Sequence, residues 1–153
     1  MKRVEVKLSL PVVAPLLDVI RELSAELEKT LAAPQALHDL DQEFRGAWIG
    51  ELIQGQNDDL RTLLSLFDAE FATQGIVAFD EANAEPIVRA CTAFRLFIRE
   101  RRLKSLPDEA LETGDVEMAG LDESVRTAFM CYLFLATVQE LIIQHLESSI
   151  VGS

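Results

Sequence analysis

The chain is poor in the side chains that most chemistry needs. Two histidines, His38 and His145, and two cysteines, Cys91 and Cys131, are spread over 153 residues. Neither histidine forms a Glu-x-x-His pair facing inward, and no Cys–His or CxxC spacing is present, so no zinc or helical di-metal site is expected. A nucleophile needs a base in reach and a third group to orient that base, and the two histidines offer no such set. The seven glycines are scattered, which excludes a Gly-rich phosphate loop and leaves no cofactor to expect. Basic residues are also scarce: 14 against 26 acidic ones, a net charge of −12. A field of that sign opposes non-specific binding to nucleic acid or to anionic lipid, so neither is an expected partner.

Apolar residues are plentiful. They make up 49% of the chain, eight Phe among them, enough for one globular core, and residues 1–153 read as a single helical domain. The stretch from Phe129 to Leu146 is apolar on almost every helical face, interrupted by Gln139, Glu140, Gln144 and His145. Such a helix must be covered by protein or by lipid. Its unbroken apolar part, Ala128 to Val138, falls short of the roughly 20 residues that span a bilayer. It is therefore expected to be the central helix of a bundle or half of a homodimer interface. Lys2 and Arg3 precede an apolar stretch that Pro11 and Pro15 interrupt, with no small-residue cleavage pattern, so no signal peptide is expected. Both cysteines lie in apolar helical patterns as buried free thiols, which suits a cytoplasmic protein.

The periodicity predicts a mainly α fold: a five-helix, bundle-like domain with a small two-stranded sheet from strands near 3–8 and 76–79. Val4, Val6 and Leu8 alternate with charged or small residues, a strand pattern, and Ile76 to Phe79 is a second short β run. Leu16, Ile20, Leu23, Leu27 and Leu31 share one helical face up to Pro34. A second helix is predicted from Asp39 or Asp41 through Phe44, Trp48 and Leu52. A third runs from an Asn57 cap through Leu60, Leu63, Phe67 and Phe71 to a terminator at Gly75. Asp80 is placed as the cap of a long fourth helix ending near Leu103, and Asp122 or Ser124 starts the last. In both strand-to-helix units a proline, Pro15 or Pro86, stands six residues beyond the cap, where it should kink the helix or delay its start.

Two polar constellations remain. Arg95, Arg99 and Arg102 lie at i, i+4 and i+7 on one helix face, with Arg101 and Lys104 nearby, a basic stripe on an acidic protein. Guanidinium forks bind carboxylates bidentately, so this stripe is the candidate interaction surface for an acidic partner. Arg45, Arg95, Gln139 and Glu140 each interrupt an apolar run, and together they form a candidate buried polar network holding helices in register.

The run VEVKLSL, the triplet Glu43-Phe44-Arg45, the block from Val77 to Arg101 and the last helix resemble a bacterial family, domain of unknown function 2017. Arg89, Ala90, Arg95, Arg101, Tyr132, Leu135, Gln139 and Glu140 fall at matching positions. The chain departs from the pattern at Thr92-Ala93, where the family has Asn-Asp, so no function resting on that pair carries over. The resemblance implies a mostly helical cytoplasmic protein with no assigned activity. The family's genes often neighbour that of an adaptor for the Clp protease. By elimination, the function expected is a non-enzymatic, adaptor-like interaction module with a protein partner. The rivals are a small enzyme using carboxylates and arginines alone, or a nucleic-acid-associated regulator.

Overall fold

Alternating Val4 and Val6 make Arg3–Lys7 a strand, β1, with one face turned to the helices. Its partner β2, Ile76–Asp80, buries Val77 and Phe79 and leaves the residues between them half-exposed. The two pair antiparallel with Val4 opposite Phe79 and Val6 opposite Val77. The computed structural model describes residues 3–29 and 42–150, without the side chains of 42–49 and 147–150. Between and after the strands lie α1 (Leu10–Leu27), α2 (Gln42–Ser65), α3 (Ala69–Gln74), α4 (Ala84–Arg102), α5 (Asp108–Thr113) and α6 (Glu123–Ile150). The fold is mainly helical with one small sheet, as the periodicity predicts.

α4 is the middle of the packing. It lies chiefly against α6 and α2, while α1 closes over α6 and α4. Ile87, Cys91, Phe94 and Ile98 of α4 are fully buried, as are Leu135 and Leu146 of α6 and Leu23 and Leu27 of α1. The i, i+3, i+4 spacing of these residues is what gives each helix its buried face.

Several boundaries differ from the predicted ones. The break between the second and third helices falls at residues 66–68, and Asn57 lies inside α2. Its Nδ2 donates to the Glu28 carbonyl at 3.1 Å, and Gln56 Nε2 donates to the Leu27 carbonyl at 3.0 Å. These side chains satisfy the open carbonyl end of α1, so Asn57 has other work than capping its own helix. The cap of α3 is Asp68, whose carboxylate accepts from the Phe71 amide. Asp80 ends the strand and does not cap α4. It accepts from the amides of Ala82 and Asn83, and Asn83 Oδ1 in turn accepts from the Asp80 amide at 2.8 Å. This reciprocal turn starts α4 at Ala84 and puts Pro86 in the first turn, where no amide is needed. α1 runs through Pro15, one backbone bond short. The turn-rich stretch before the last helix contains α5. Pro34, His38, Asp39 and Asp41 lie outside the described residues.

Gly75 terminates α3 in the left-handed region, φ +70°, and its amide bonds to the Phe71 carbonyl at 2.7 Å. A Cβ added there would stand 2.7 Å from the Leu8 carbonyl oxygen. The Gly75 carbonyl accepts from the Leu8 amide at 2.7 Å, extending the strand pairing past Lys7. Both the conformation and the close approach require glycine.

α6 is not covered on all sides. Its buried face, Phe129, Cys131, Leu135, Val138, Ile142 and Leu146, meets the core, while Met130, Thr137, Glu140 and Gln144 are exposed. Residues 130, 137 and 144 are one heptad apart and share a face, which the other described helices do not reach. By length and composition, Glu123–Leu146 is also the one described helix apolar enough to cross a membrane, and 44% of its most apolar window is buried inside the protein.

Candidate functional site

The α4–α6 seam carries a polar cluster in an otherwise apolar contact. Arg95 on α4 donates through Nη1 to Gln139 Oε1 at 2.7 Å and through Nη2 to Tyr132 Oη at 3.1 Å. Its guanidinium carbon lies 4.6 Å from the centre of the Tyr132 ring, within cation–π range. Gln139 Nε2 donates onward to the Val88 carbonyl at 2.9 Å and to Thr92 Oγ1 at 2.7 Å. The Thr92 hydroxyl itself donates to the Val88 carbonyl at 3.1 Å. Helix periodicity accounts for the assembly. Tyr132 and Gln139 are seven apart on α6, while Val88, Thr92 and Arg95 follow at i, i+4 and i+7 on α4.

A side-chain amide meets the demands of position 139. It must accept from a cation with one end and donate to a carbonyl with the other. Gln139 and Tyr132 are nearly buried, at 8% and 7% exposure, whereas Arg95 is half-buried and Thr92 is exposed. The seam thus opens to solvent at its outer edge.

All of Arg95's partners are neutral. Among the described residues no carboxylate pairs with it, and its buried Nε has no hydrogen-bond partner. The guanidinium acts on Cys91, one turn earlier. Burial pushes that thiol up to about 12, with Arg95 pulling the other way. Burial also pushes Cys131 up to about 11. Both cysteines are free.

The sequence-predicted network is therefore assembled in part. Arg95 and Gln139 meet as expected. Glu140 does not: it is exposed on α6 and, among the described residues, accepts from Gln144 Nε2 at 3.1 Å. One residue of helix rotates a side chain about 100°, which carries Glu140 out of the seam that Gln139 occupies. Arg45 and Trp48 have side chains outside those described. Thr92 and Tyr132 complete the cluster and were not singled out as polar partners, although their spacing from Arg95 and Gln139 was a usable signal.

The basic stripe also resolves into separate partners. Arg99 pairs with Asp108 at the start of α5. Arg101 stacks over the Phe97 ring at 5.1 Å. Arg102 borders a groove lined with Glu22, Asp122 and Glu123 at the junction of α1, α4 and α6. Among the described residues no group of three or more His, Cys, Asp or Glu is arranged to hold a metal ion.

The family model described as "domain of unknown function 2017" matches residues 12–146, most of the chain and all of the seam. No curated protein and no solved structure matches the chain.

Proposed function

The chain belongs to the domain of unknown function 2017 family, and from that premise we propose that it is a non-enzymatic, adaptor-like module that binds a protein partner in the cytoplasm. The docking surface is the outer side of α4, along Arg95, Arg99 and Arg102. The observation that carries this reading is the half-buried Arg95, whose guanidinium meets only neutral groups among the described residues. Among the described residues no carboxylate is brought to it, although the chain carries 26 acidic residues. A charge held this way is more favourable with an anion beside it. Arg99 adds to the surface because its ion pair with Asp108 is open to solvent and exchanges readily with an incoming carboxylate. The neighbourhood of the family's genes to that of a Clp adaptor favours a partner from regulated proteolysis.

An acidic partner on this stripe would associate faster at low salt, with a smaller effect on the final affinity. The test is affinity purification from the native host with the wild-type chain, an Arg99→Glu/Arg102→Glu variant and an Arg95→Met variant. The wild type should enrich one or more partners that both folded variants lose. Partners retained by both variants would sink the reading. A second copy of the chain is the other candidate partner, favoured by Met130 at 38% and Ile143 at 42% exposure on α6. A clean monomer mass by light scattering at tens of micromolar removes it.

A further inference from the structure

The Arg95 cluster has the features of a receptor for one negative charge. The guanidinium carries more N–H donors than Gln139 and Tyr132 take up. The Tyr132 hydroxyl accepts from Arg95, and no acceptor for its own proton is found among the described residues. Two kinds of donor, charged and neutral, thus sit side by side in the seam, which opens to solvent along Arg95 and Thr92. Gln139, braced on Val88 and Thr92, holds the guanidinium in place, and the Tyr132 ring supports its face. A receptor whose donors are fixed before binding loses little freedom when its ligand arrives.

Resting on the docking surface proposed above, we infer that Arg95 and Tyr132 together bind the carboxylate of an acidic side chain on the partner. The charge count selects the class. One guanidinium balances one carboxylate. The ion pair of Arg99 brings the Asp108 carboxylate onto the stripe, and Arg102 borders a groove lined with Glu22, Asp122 and Glu123, so a phosphate dianion would meet these acids as well as Arg95. On a chain of net charge −12 the surplus negative charge would be repelled. The remaining N–H groups of the Arg95 guanidinium supply charge-assisted hydrogen bonds to the carboxylate, and the phenol adds a neutral donor. Substitution of Gln139 by glutamate would fill the receptor from within, because its carboxylate would stand where the amide oxygen now accepts from Nη1.

Tyr132 is the chain's single tyrosine, so protein labelled with carbon-13 tyrosine reports on this receptor through one assignable ring. The full-length chain is titrated with an end-blocked tetrapeptide carrying one glutamate among neutral residues, its glutamine counterpart and inorganic phosphate, at low and at physiological salt. The glutamate peptide should move the Tyr132 resonances saturably, bind roughly tenfold or more tighter than the glutamine peptide and weaken with salt. Phosphate should bind more weakly than the glutamate peptide. Arg95→Met and, should that variant fail to fold, Gln139→Glu should leave Tyr132 unresponsive. No response to the glutamate peptide, an equal response to the glutamine peptide or tighter binding of phosphate overturns the inference. A partner lost from the Arg99→Glu/Arg102→Glu variant alongside a silent Tyr132 removes the receptor and leaves the docking module standing. A responsive Tyr132 with no partner enriched does the reverse.

Discussion

Arg89 and Arg95 stand on the same helix, fewer than two turns apart, and are treated in opposite ways. Arg89 forms a fork on Asp59 of α2, both contacts at 3.0 Å, and takes a third contact from Glu85 one turn back. It is about half exposed, and the bond to Asp59 raises the pKa of its guanidinium further above the titratable range. Arg95 is deeper and, among the described residues, meets no acid, only a phenol, an amide and an aromatic face. Surface charge is cheap to neutralise and is neutralised, while the costlier charge is left open. Arg89 fastens α4 to α2, whereas Arg95 presents a charge that the fold holds and does not cancel.

The comparison can be broken most severely at Gln139. Gln139→Leu removes the acceptor for Nη1 and leaves the guanidinium with less neutral support. It should lower stability by about 2 kcal/mol in urea denaturation, the cost of stripping a hydrogen bond from a charged group. A loss below about 0.5 kcal/mol would mean that the amide is incidental.

A titration sharpens the contrast. Cys91 keeps its proton to about 12 in the folded chain, against an ordinary value of 9.0. The unfolded thiol ionises first, so stability is intact below pH 9 and declines as pH rises from there toward 12. Cys91 should contribute a loss of about 1.4 kcal/mol at pH 10, the free-energy equivalent of one pH unit. Arg95→Met should push this thiol higher and prolong the decline at its alkaline end, whereas Arg89→Ala should leave its extent unchanged, because the Arg89 charge is already matched. A decline that ends at the same pH in all three proteins would show that the Arg95 charge does not reach the core.

Arg89→Ala itself should cost about 1 kcal/mol or less, reduced further by salt, as befits a half-exposed pair. The smallest effect is expected at Glu140, whose replacement by alanine should change stability by no more than about 0.5 kcal/mol. A larger loss there would restore Glu140 to the seam.

Much of this was legible in the sequence. The helical faces of α1, α4 and α6 follow from their apolar spacing, and Gly75 announces its turn. The break between α2 and α3 was misplaced because Asn57 carries a cap's chemistry, and only the fold reveals that it serves another helix. The network was half legible for a related reason. Gln139 and Glu140 are adjacent in the chain, so composition cannot choose between them, and a helix separates them by its turn. Which acids the stripe's arginines face depended on Asp108, in the turn-rich stretch before the last helix, and on Asp122 at that helix's start, and spacing alone does not bring either beside α4.

The pairing of Lys7 with Ile76 has a kinetic consequence. All of α1, α2 and α3 lies in the loop between these residues, so the sheet cannot form until that long segment has been drawn closed. Helices α4 and α6, which meet through far shorter connections, owe no such entropy before their faces touch. The sheet should therefore arrive late, with β1 as the last element to be locked down. Substitutions that loosen it, Gly75→Ala among them, should then appear mainly as faster unfolding, with the folding rate little changed.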